Sequence, residues 1–486
     1  MAPLRVAIGR LASPPQYTLA IDAQPQLGRT LTLKTAVAIN MLDMIGVGPF
    51  ITLPLLVSAM GGPQAMLGWI CGALLALCDG LVWAELGAMM PEAGGTYRFL
   101  REIYGGRTGR FFSFLFVFQL MFSAPLSVAS GCIGLSQYAA YLGPALRGTW
   151  GTWGRLTAGP GTLVAMAAVV LAIAMLYRNL ASLRIVSYIL WCTVIGTIGW
   201  VLLTAALYGH WAQAFALAPG AFHLDARFFA GLASAMLIAT YDFWGYYNVT
   251  FLGAEVRNPA RTIPRAILLS IALVAGLYLA LNAAVLAVLP WREVVSVKAL
   301  GARQALISYL MQTVYGAHFG PSAGLAAGRL AAVLVMITAF ASVFSLLLGY
   351  SRIPFAAARD QNFFAAFGRL HPRGFPYVSL LYLGAAAMLF CFFSLGEVIA
   401  ALVVLRIVVQ FLLQHLGVLH LRRTQPDRPR PFRMWFYPVP PLVALAGFAY
   451  ILVGRPNYQR ELWMALLVVM LGAVAYWVRG RFQQPA

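Results

Sequence analysis

Charged side chains are scarce in this chain, and lysine is almost missing. Only 10% of its 486 residues are Asp, Glu, Lys or Arg, whereas soluble domains carry about 25%. A water-soluble fold is therefore excluded. Its 34 basic residues, all arginine except Lys34 and Lys298, give a formal charge of +20. In a soluble protein this would suggest nucleic acid, but basic loops also set the topology of bilayer proteins. We therefore predict no nucleic-acid partner.

Patterns typical of metal sites and catalysis are missing as well. The five cysteines lie in apolar segments without a CxxC pair, and the six histidines include no HExxH motif. His415 and His420 are five residues apart, but no cysteine pair accompanies them as in a Cys2His2 zinc site. No phosphate-binding loop or Ser/His/Asp signature occurs, although a triad assembled only in space would leave no such pattern. The sequence therefore predicts no metal, no cofactor and no enzyme.

Long apolar segments make up most of the chain. Hydrophobic residues account for 61% of it, and the mean hydropathy is +0.80. A window of about 19 residues, the length that crosses a bilayer, predicts twelve transmembrane helices. Their predicted bounds are 35–59, 64–90, 110–142, 161–177, 184–209, 228–253, 265–289, 326–350, 377–394, 397–420, 438–454 and 461–478. The sequence thus predicts an all-α integral membrane protein.

The distribution of arginine predicts the orientation in the membrane. Most basic residues fall on one side of the bilayer if both termini lie in the cytoplasm, as the positive-inside rule requires. Residues 1–33 are polar and basic, without an apolar run of the signal-peptide type. We expect a cytoplasmic N-terminal tail, a retained first helix and a multi-pass protein of the cytoplasmic (inner) membrane.

Two predicted helices are interrupted by residues that break helices. The first contains two glycines, a proline and a carboxylate within 43–50, and the sixth contains Asp242 and Gly245. A spanning helix tolerates such a break only where protein or a watery cavity satisfies its backbone. Paired breaks in two halves of a chain indicate the substrate site of a secondary transporter. The alternative is that the GxG at Gly46 and Gly48 only permits tight helix packing.

The ends of broken helices carry unpaired backbone groups. The N–H groups around 46–48 lie at the positive end of the half-helix that begins near Phe50, and they are predicted to bind a carboxylate. Carbonyl groups in 241–244 are predicted to receive an ammonium group, so that the two breaks together suit a zwitterion. The predicted substrate-binding residues are Asp43, Met44, Gly46, Val47, Gly48, Tyr241, Asp242, Phe243, Trp244 and Gly245.

Carboxylates inside a membrane are costly and usually functional. Three interpretations are open for Asp43 and Asp242: each holds a cationic group of the substrate, carries a coupling proton, or forms a structural hydrogen bond across the broken helices. Asp79 and Glu85 in the second helix are weaker candidates. We expect Glu85 to cap or pair near the end of that helix.

Other polar and aromatic residues extend the candidate site. Ser342 and Ser345 share one helical face and are candidates for Na+ coupling, with a hydroxyl bonding back to its own helix as the favoured alternative. Arg406 in the tenth helix is expected to need a carboxylate partner inside the protein. The aromatic residues in 241–247 either gate the site, hold a cation or pack between helices.

Four motifs resemble those of the amino acid–polyamine–organocation (APC) transporter superfamily. They follow one another in the right order over most of the chain, on one predicted face of the membrane. They are Gly46-x-Gly48-x-Phe50 with Pro54; Pro91-Glu-Ala-Gly94-Gly95-Thr-Tyr97; Glu255-Val-Arg-Asn258-Pro259-x-Arg261-x-x-Pro264-Arg265; and Ala358-Arg359-Asp360 followed by His371-Pro372.

The resemblance implies a five-plus-five inverted repeat with discontinuous helices 1 and 6. It divides the chain into a tail (1–33), two halves (34–209 and 228–423) and peripheral helices 11 and 12 (436–480). It implies a midplane site between helices 1, 3, 6, 8 and 10, with the substrate carboxylate on Val47 and Gly48. The amine would lie near Met44, Tyr241 and Trp244. The lysine that some proton-coupled members carry in helix 5 is missing here.

The predicted function is a secondary active transporter, or permease, for amino acids. It would act by alternating access as a proton symporter or a substrate exchanger, and Asp43 and Asp242 make cationic amino acids or polyamines plausible substrates. The expected partners are a small-molecule substrate, membrane lipid and H+ or Na+, and a homo-oligomer stays open. The alternative is a transporter-like sensor or channel that binds amino acids without coupled transport.

Overall fold

Helices account for most of the described chain. The computed structural model describes residues 29–177, 180–217, 220–295, 305–455 and 458–482. Eight helices in these ranges are long and apolar enough to cross a membrane, and three shorter apolar helices accompany them. A hairpin of Gly151–Trp153 and Leu156–Ala158 is the sheet found in this part of the chain. A mostly helical, multi-pass membrane protein with little sheet is thus supported, whereas the count of twelve spans, their orientation, the inverted repeat and the domain bounds stay predictions.

The described α-helices are numbered here in chain order. They are α1 (Leu33–Met44), α2 (Gly48–Ile51), α3 (Leu53–Met60), α4 (Met66–Met89), α5 (Thr96–Tyr104), α6 (Gly106–Leu142), α7 (Pro160–Leu176), α8 (Leu180–Tyr208), α9 (Trp211–Ala214), α10 (Ala226–Phe243), α11 (Asn248–Phe251), α12 (Pro259–Val288), α13 (Trp291–Val295), α14 (Leu306–Phe319), α15 (Pro321–Tyr350), α16 (Arg352–Arg359), α17 (Tyr377–Phe390), α18 (Leu395–Arg406), α19 (Leu412–Thr424), α20 (Val439–Val453) and α21 (Tyr458–Phe482). A π-helical turn, Ile407–Phe411, joins α18 to α19.

The first interruption lies where the sequence predicts it. Helix α1 ends at Met44, and three residues without helical structure precede α2. Proline at the second position of α2 explains the restart. Its ring removes a backbone N–H that would be unpaired in the first turn, and its fixed φ suits a helix start.

The second interruption depends on a glycine. Helix α10 ends at Phe243, Trp244 takes an extended conformation with ψ 140°, and Gly245 has φ +133°. L residues with side chains rarely adopt this φ. Gly245 also packs directly on helix α1, since an added Cβ would lie 2.6 Å from the Met44 backbone nitrogen. The two breaks are therefore in contact with each other.

A buried carboxylate ties the end of α4 to α19 and to the loop that follows it. Glu85 accepts hydrogen bonds from Arg422 Nε (2.9 Å) and Nη2 (2.5 Å), and from the backbone N–H of Met434 (2.8 Å). Arg430 Nε lies 3.5 Å from the same carboxylate, whose side chain is only 1% exposed. The expectation that Glu85 pairs near its helix end is thus confirmed.

Replacing Glu85 with glutamine should destabilise the fold. The change leaves Arg422 and Arg430 without a counter-charge, and breaking a buried ion pair in this way costs about 3–5 kcal/mol. We expect a lower melting temperature for the detergent-solubilised protein. The matched control is Glu92→Gln, because the pair of Glu92 with Arg98 is on the surface, with Glu92 60% exposed, and such pairs contribute about 0–1 kcal/mol. Equal melting temperatures for the two variants would contradict this prediction.

Candidate functional site

The two helix breaks open onto one buried cavity. Residues of the first, third, sixth, eighth and tenth predicted spans line it, which are the five helices that the resemblance implies. The lining residues are Asp43, Met44, Gly46, Val47, Gly48, Ser127, Ser130, Gly131, Tyr241, Asp242, Trp244, Ser342, Leu346, Tyr350, Leu402 and Arg406. The cavity leaves about 40 Å³ for the centres of water-sized molecules. This is room for about three waters, since one water needs roughly 10–15 Å³ of such volume.

Most of the predicted site residues meet in this cavity, but three do not line it. Phe243 is fully buried and packs edge-on against the ring of Trp69, at a centroid distance of 5.8 Å. Gly245 contacts the backbone of α1 instead. Ser345 lies against α1, where its hydroxyl donates to the carbonyl of Ile39 at 3.2 Å. These contacts show how the three residues pack, and their roles in substrate binding or ion coupling stay predictions.

Both cavity carboxylates keep one oxygen free of hydrogen bonds. Asp242 Oδ2 accepts a hydrogen bond from Thr52 Oγ1 at 2.6 Å. Asp242 Oδ1 and Asp43 Oδ2 are buried without a hydrogen-bond partner among the described residues. Because buried polar atoms are normally satisfied, these two oxygens require a ligand or a proton. Arg406 Nε and Trp244 Nε1 of the same cavity are also unpartnered within the described part of the chain and require an acceptor.

Arg406 brings a positive charge to the same cavity. It is buried, with 2% exposure, and donates to Tyr247 Oη (3.1 Å) and Ser127 Oγ (2.8 Å). Its guanidinium carbon lies 4.9 Å from the ring centre of Tyr350. No carboxylate of the described residues lies within ion-pair distance, so hydroxyl groups and an aromatic face are the direct contacts of this cation. Asp43 of the same cavity is the carboxylate that interacts with Arg406 electrostatically, over a longer distance.

The hydroxyl of Ser342 also departs from the favoured interpretation. It does not bond back to its own helix but donates to the carbonyl of Asp43 at 3.2 Å, as Ser345 does to Ile39. The serine face of α15 therefore joins the end of α1, close to the first break. Carbonyls at the C-terminal ends of half-helices coordinate coupling ions in other transporters, and Asp43 lies in the last turn of α1. A role of Ser342 and Ser345 in Na+ coupling stays a prediction.

A tyrosine that sequence reasoning missed joins the two breaks. Tyr278 Oη in α12 lies 2.6 Å from the carbonyl of Met44 and 3.1 Å from the carbonyl of Asp242, within donating distance of both. A tyrosine hydroxyl has one hydrogen, and the shorter distance favours Met44 as its acceptor. The Asp242 carbonyl, predicted to receive an ammonium group, therefore retains capacity for a further donor. No local pattern distinguishes Tyr278 from other aromatic residues of an apolar helix.

Two serines of α6 also went unnoticed in the sequence. Ser130 Oγ accepts a hydrogen bond from Tyr241 Oη at 2.8 Å, and Ser127 accepts one from Arg406. A signal for them was available. Their spacing of three residues places both hydroxyls on one face of a long apolar helix.

Comparisons with known proteins identify the family. A family model described as "Amino acid permease" matches residues 31–475. The chain is similar to a serine/threonine exchanger of Bacillus subtilis, with 25% identity over 436 residues, covering 88% of this chain and 91% of the exchanger. It is also similar to a branched-chain amino acid permease of that organism, with 26% identity over 474 residues, covering 93% of this chain and 94% of the permease.

A third relative is an uncharacterized transporter of Mycobacterium tuberculosis. It is 30% identical over 370 residues, which cover 75% of this chain and 74% of that protein. The names of the family and of these relatives describe transporters and not enzymes. Because the family model spans nearly the whole chain, this protein belongs to the amino acid permease family of the APC superfamily.

Proposed function

We propose that the protein is a secondary active transporter that moves amino acids across the membrane by alternating access. The observation that carries this proposal is that both helix breaks open onto one buried cavity. The substrate carboxylate would bind the backbone of Val47 and Gly48 at the start of α2, where the helix end is positive. The amine would lie opposite, near Met44, Tyr241 and Trp244.

The relatives support an amino acid substrate. Their names specify serine and threonine in one case and branched-chain amino acids in another, so the shared feature is the amino acid head group. The backbone groups at the two breaks would recognise this head group whatever the side chain. Differences in side-chain preference would then come from residues such as Leu346 and Leu402 in the cavity wall.

The charges of the cavity favour a transported species with one net positive charge, counting the substrate together with any ion that accompanies it. Asp43 and Asp242 carry two negative charges when ionised, against one positive charge on Arg406. An unbalanced charge inside a membrane protein is costly. A zwitterion adds no net charge, so the balance requires either a cationic substrate or a proton that travels with a neutral amino acid.

The small volume of the cavity favours a proton that travels with a neutral amino acid over a cationic substrate. About 40 Å³ accommodates a head group but not the long side chain of lysine or arginine, or a polyamine. We therefore propose a small neutral amino acid accompanied by a proton on Asp43 or Asp242. Cationic amino acids and polyamines are the second candidates, and they require a wider cavity in another conformation.

A ligand screen on the purified protein tests the proposal. A ligand that binds only the folded state, at about 100 times its dissociation constant, stabilises it by about 2.7 kcal/mol. We expect serine, alanine or threonine to raise the melting temperature, and arginine, lysine, putrescine, spermidine and agmatine to have little effect. Stabilisation only by the cationic compounds would reverse the choice of substrate.

Transport assays in proteoliposomes then separate a carrier from the alternative. A carrier exchanges labelled for unlabelled substrate, whereas a sensor or channel shows no such counterflow. Counterflow of the stabilising amino acid is expected, together with accumulation driven by an inward proton gradient. If no amino acid or polyamine stabilises the protein and none shows counterflow, the proposed function is wrong.

A further inference from the structure

A second buried cluster of ionisable groups lies outside the substrate cavity. It consists of Asp79 in α4, His415 in α19 and Tyr246 in the second break. Asp79 and His415 have no exposed surface, and Tyr246 is 1% exposed. None of the three lines the cavity. A carboxylate and an imidazole so deep in an apolar protein need a specific explanation.

The hydrogen bonds of the cluster fix where its hydrogens lie. His415 Nδ1 is 2.7 Å from the carbonyl oxygen of Phe411. Since a carbonyl only accepts, this nitrogen carries a hydrogen. Tyr246 Oη donates to Asp79 Oδ2. The two remaining atoms, His415 Nε2 and Asp79 Oδ1, face each other at 3.2 Å. No hydrogen bond joins these two atoms, and both lack any other hydrogen-bond partner among the described residues.

A neutral ring and an ionised carboxylate would not be stable in this arrangement. With its hydrogen on Nδ1, neutral His415 would present the lone pair of Nε2 to a negatively charged oxygen. The carboxylate would also be a buried charge without a counter-charge, which is costly. One proton removes both problems, as an imidazolium–carboxylate pair or as a carboxylic acid beside a neutral imidazole. We infer that the pair of Asp79 and His415 binds a proton, in a site distinct from the substrate cavity.

The surroundings offer no competing counter-charge among the described residues. The titratable groups that face the pair are Tyr246 and Tyr247 from the second break and Cys78 beside Asp79. Other elements contribute apolar or already bonded groups around the pair. The ring of Phe448 in α20 lies 5.6 Å from the ring of His415, and Ile267 of α12 lies near Gly80. Tyr104 of α5 donates to the carbonyl of Leu413. Arg422 of α19 is already paired with Glu85.

The proton site is linked to both helix breaks. The carbonyl of Tyr246 accepts a hydrogen bond from Asn40 Nδ2 in α1 at 2.6 Å, and Asn40 Oδ1 accepts one from the N–H of Val249 in α11 at 2.9 Å. Releasing the proton would weaken the contact of His415 in α19 with Asp79 in α4. Asp79 is hydrogen-bonded to Tyr246, whose carbonyl connects the second break to α1.

The same proton site is also linked to the cavity through the π-helical turn. This turn separates Arg406 from His415 along the tenth span, and such turns are frequent at functional sites. Phe411, at its end, stacks on Trp244 of the cavity wall at 4.7 Å. The structure thus points to a proton that controls how the tenth span packs beside the substrate site. This coupling rests on the proposed transport function, but the presence of the proton does not.

Melting temperatures measured against pH test the proton site without any substrate. If the folded state holds this proton, stability is full at low pH and decreases as the pH rises through its release. Asp79→Asn can donate to His415 Nε2 and accept from Tyr246, so it replaces the proton permanently. We expect the decrease seen in the wild type to be reduced in Asp79→Asn and in His415→Gln. His420→Gln, an exposed histidine on the same helix, should retain the wild-type profile.

Spectroscopy locates the proton directly. We expect either of two signatures in the wild type. One is an imidazolium signal from 15N-labelled histidine that His415→Gln removes, and the other is a carboxylic acid infrared band that Asp79→Asn removes. A neutral His415 together with an ionised Asp79 would overturn the proposal, as would Asp79→Asn and His415→Gln proteins with the wild-type pH profile.

Transport of labelled serine tests the coupling separately. Asp79→Asn is expected to retain serine counterflow in proteoliposomes and to lose accumulation driven by an inward proton gradient. Accumulation at the wild-type level by Asp79→Asn would overturn the coupling role. A wild-type protein that neither exchanges nor accumulates serine would instead count against the proposed substrate and leave the spectroscopic result on the proton unaffected.

Discussion

Asp242→Asn should abolish amino acid uptake while leaving membrane insertion intact. The amide has the shape of the carboxylate and can still accept the hydrogen bond from Thr52 Oγ1. It cannot carry the negative charge or the proton that the free oxygen Oδ1 provides. Hydrogen bonds to charged groups contribute about 1.5–3 kcal/mol, and each 1.4 kcal/mol is a factor of about ten. We therefore expect a loss of uptake of at least about tenfold in proteoliposomes with matched protein content.

Asp225→Asn is the matched control for this variant. Asp225 precedes the first residue of the same helix, α10, in an exposed position, and accepts the backbone N–H of Phe228 at 2.8 Å. That hydrogen bond lowers the pKa of Asp225 below its ordinary value, and asparagine can also cap a helix. Uptake should therefore be unchanged in Asp225→Asn. If a well-inserted Asp242→Asn protein also transports normally, Asp242 has only a structural role between α10 and α3.

Gly48→Ala should also inactivate transport, for a steric reason. A Cβ at this position would overlap the carboxylate of Asp242 and lie 3.5 Å from Tyr241 Cε1. The breaks would have to separate, or Asp242 would have to leave its place. Overpacking of a dense interior costs typically about 1–3 kcal/mol. If this cost destabilises the transport-competent state, uptake should decrease by roughly tenfold to hundredfold.

Two other glycines provide graded controls for this variant. In Gly46→Ala the added Cβ would lie 2.9 Å from Ser342 Oγ and 3.1 Å from Ser342 Cβ. These contacts are less severe than the overlap at Gly48, so we expect a smaller loss. Gly196 in α8 has no neighbouring atom within 4 Å of an added Cβ, and Gly196→Ala should transport normally. The expected order of uptake is Gly196→Ala, then Gly46→Ala, then Gly48→Ala. Equal uptake by all three would show that the contact of Gly48 with Asp242 is not needed for transport.

Local features of the sequence predicted the fold class and most of the cavity. Apolar length and sparse charge determine that helices cross a membrane. Glycine and proline determine where a helix breaks, because they act on their own backbone. Asp43 and Asp242 stand out because a carboxylate in an apolar run is costly. These signals lie within a few residues of one another, so the chain did not have to be folded to reveal them.

The roles of Arg406, Ser342 and His415 required the tertiary structure. The sequence indicated a carboxylate partner for Arg406 but not which one. The fold brings Asp43 into the same cavity and places Tyr247, Ser127 and Tyr350 in direct contact with the guanidinium group. It favoured Ser342 bonding to its own helix, whereas α15 packs so that the hydroxyl reaches α1. A buried polar group takes whichever partner the packing of helices brings within hydrogen-bond distance.

The proton site shows most clearly the difference between what the sequence predicts and what only the tertiary structure decides. The sequence by itself determined that this chain is a helical membrane protein with two interrupted spans and a few buried acids. It gave no reason to associate Asp79 with His415, which is 336 residues away and contacts it only because α4 and α19 pack together. Only the tertiary structure could decide that pairing, because the atoms that require a shared proton become neighbours only when distant helices exclude water and all other partners from between them.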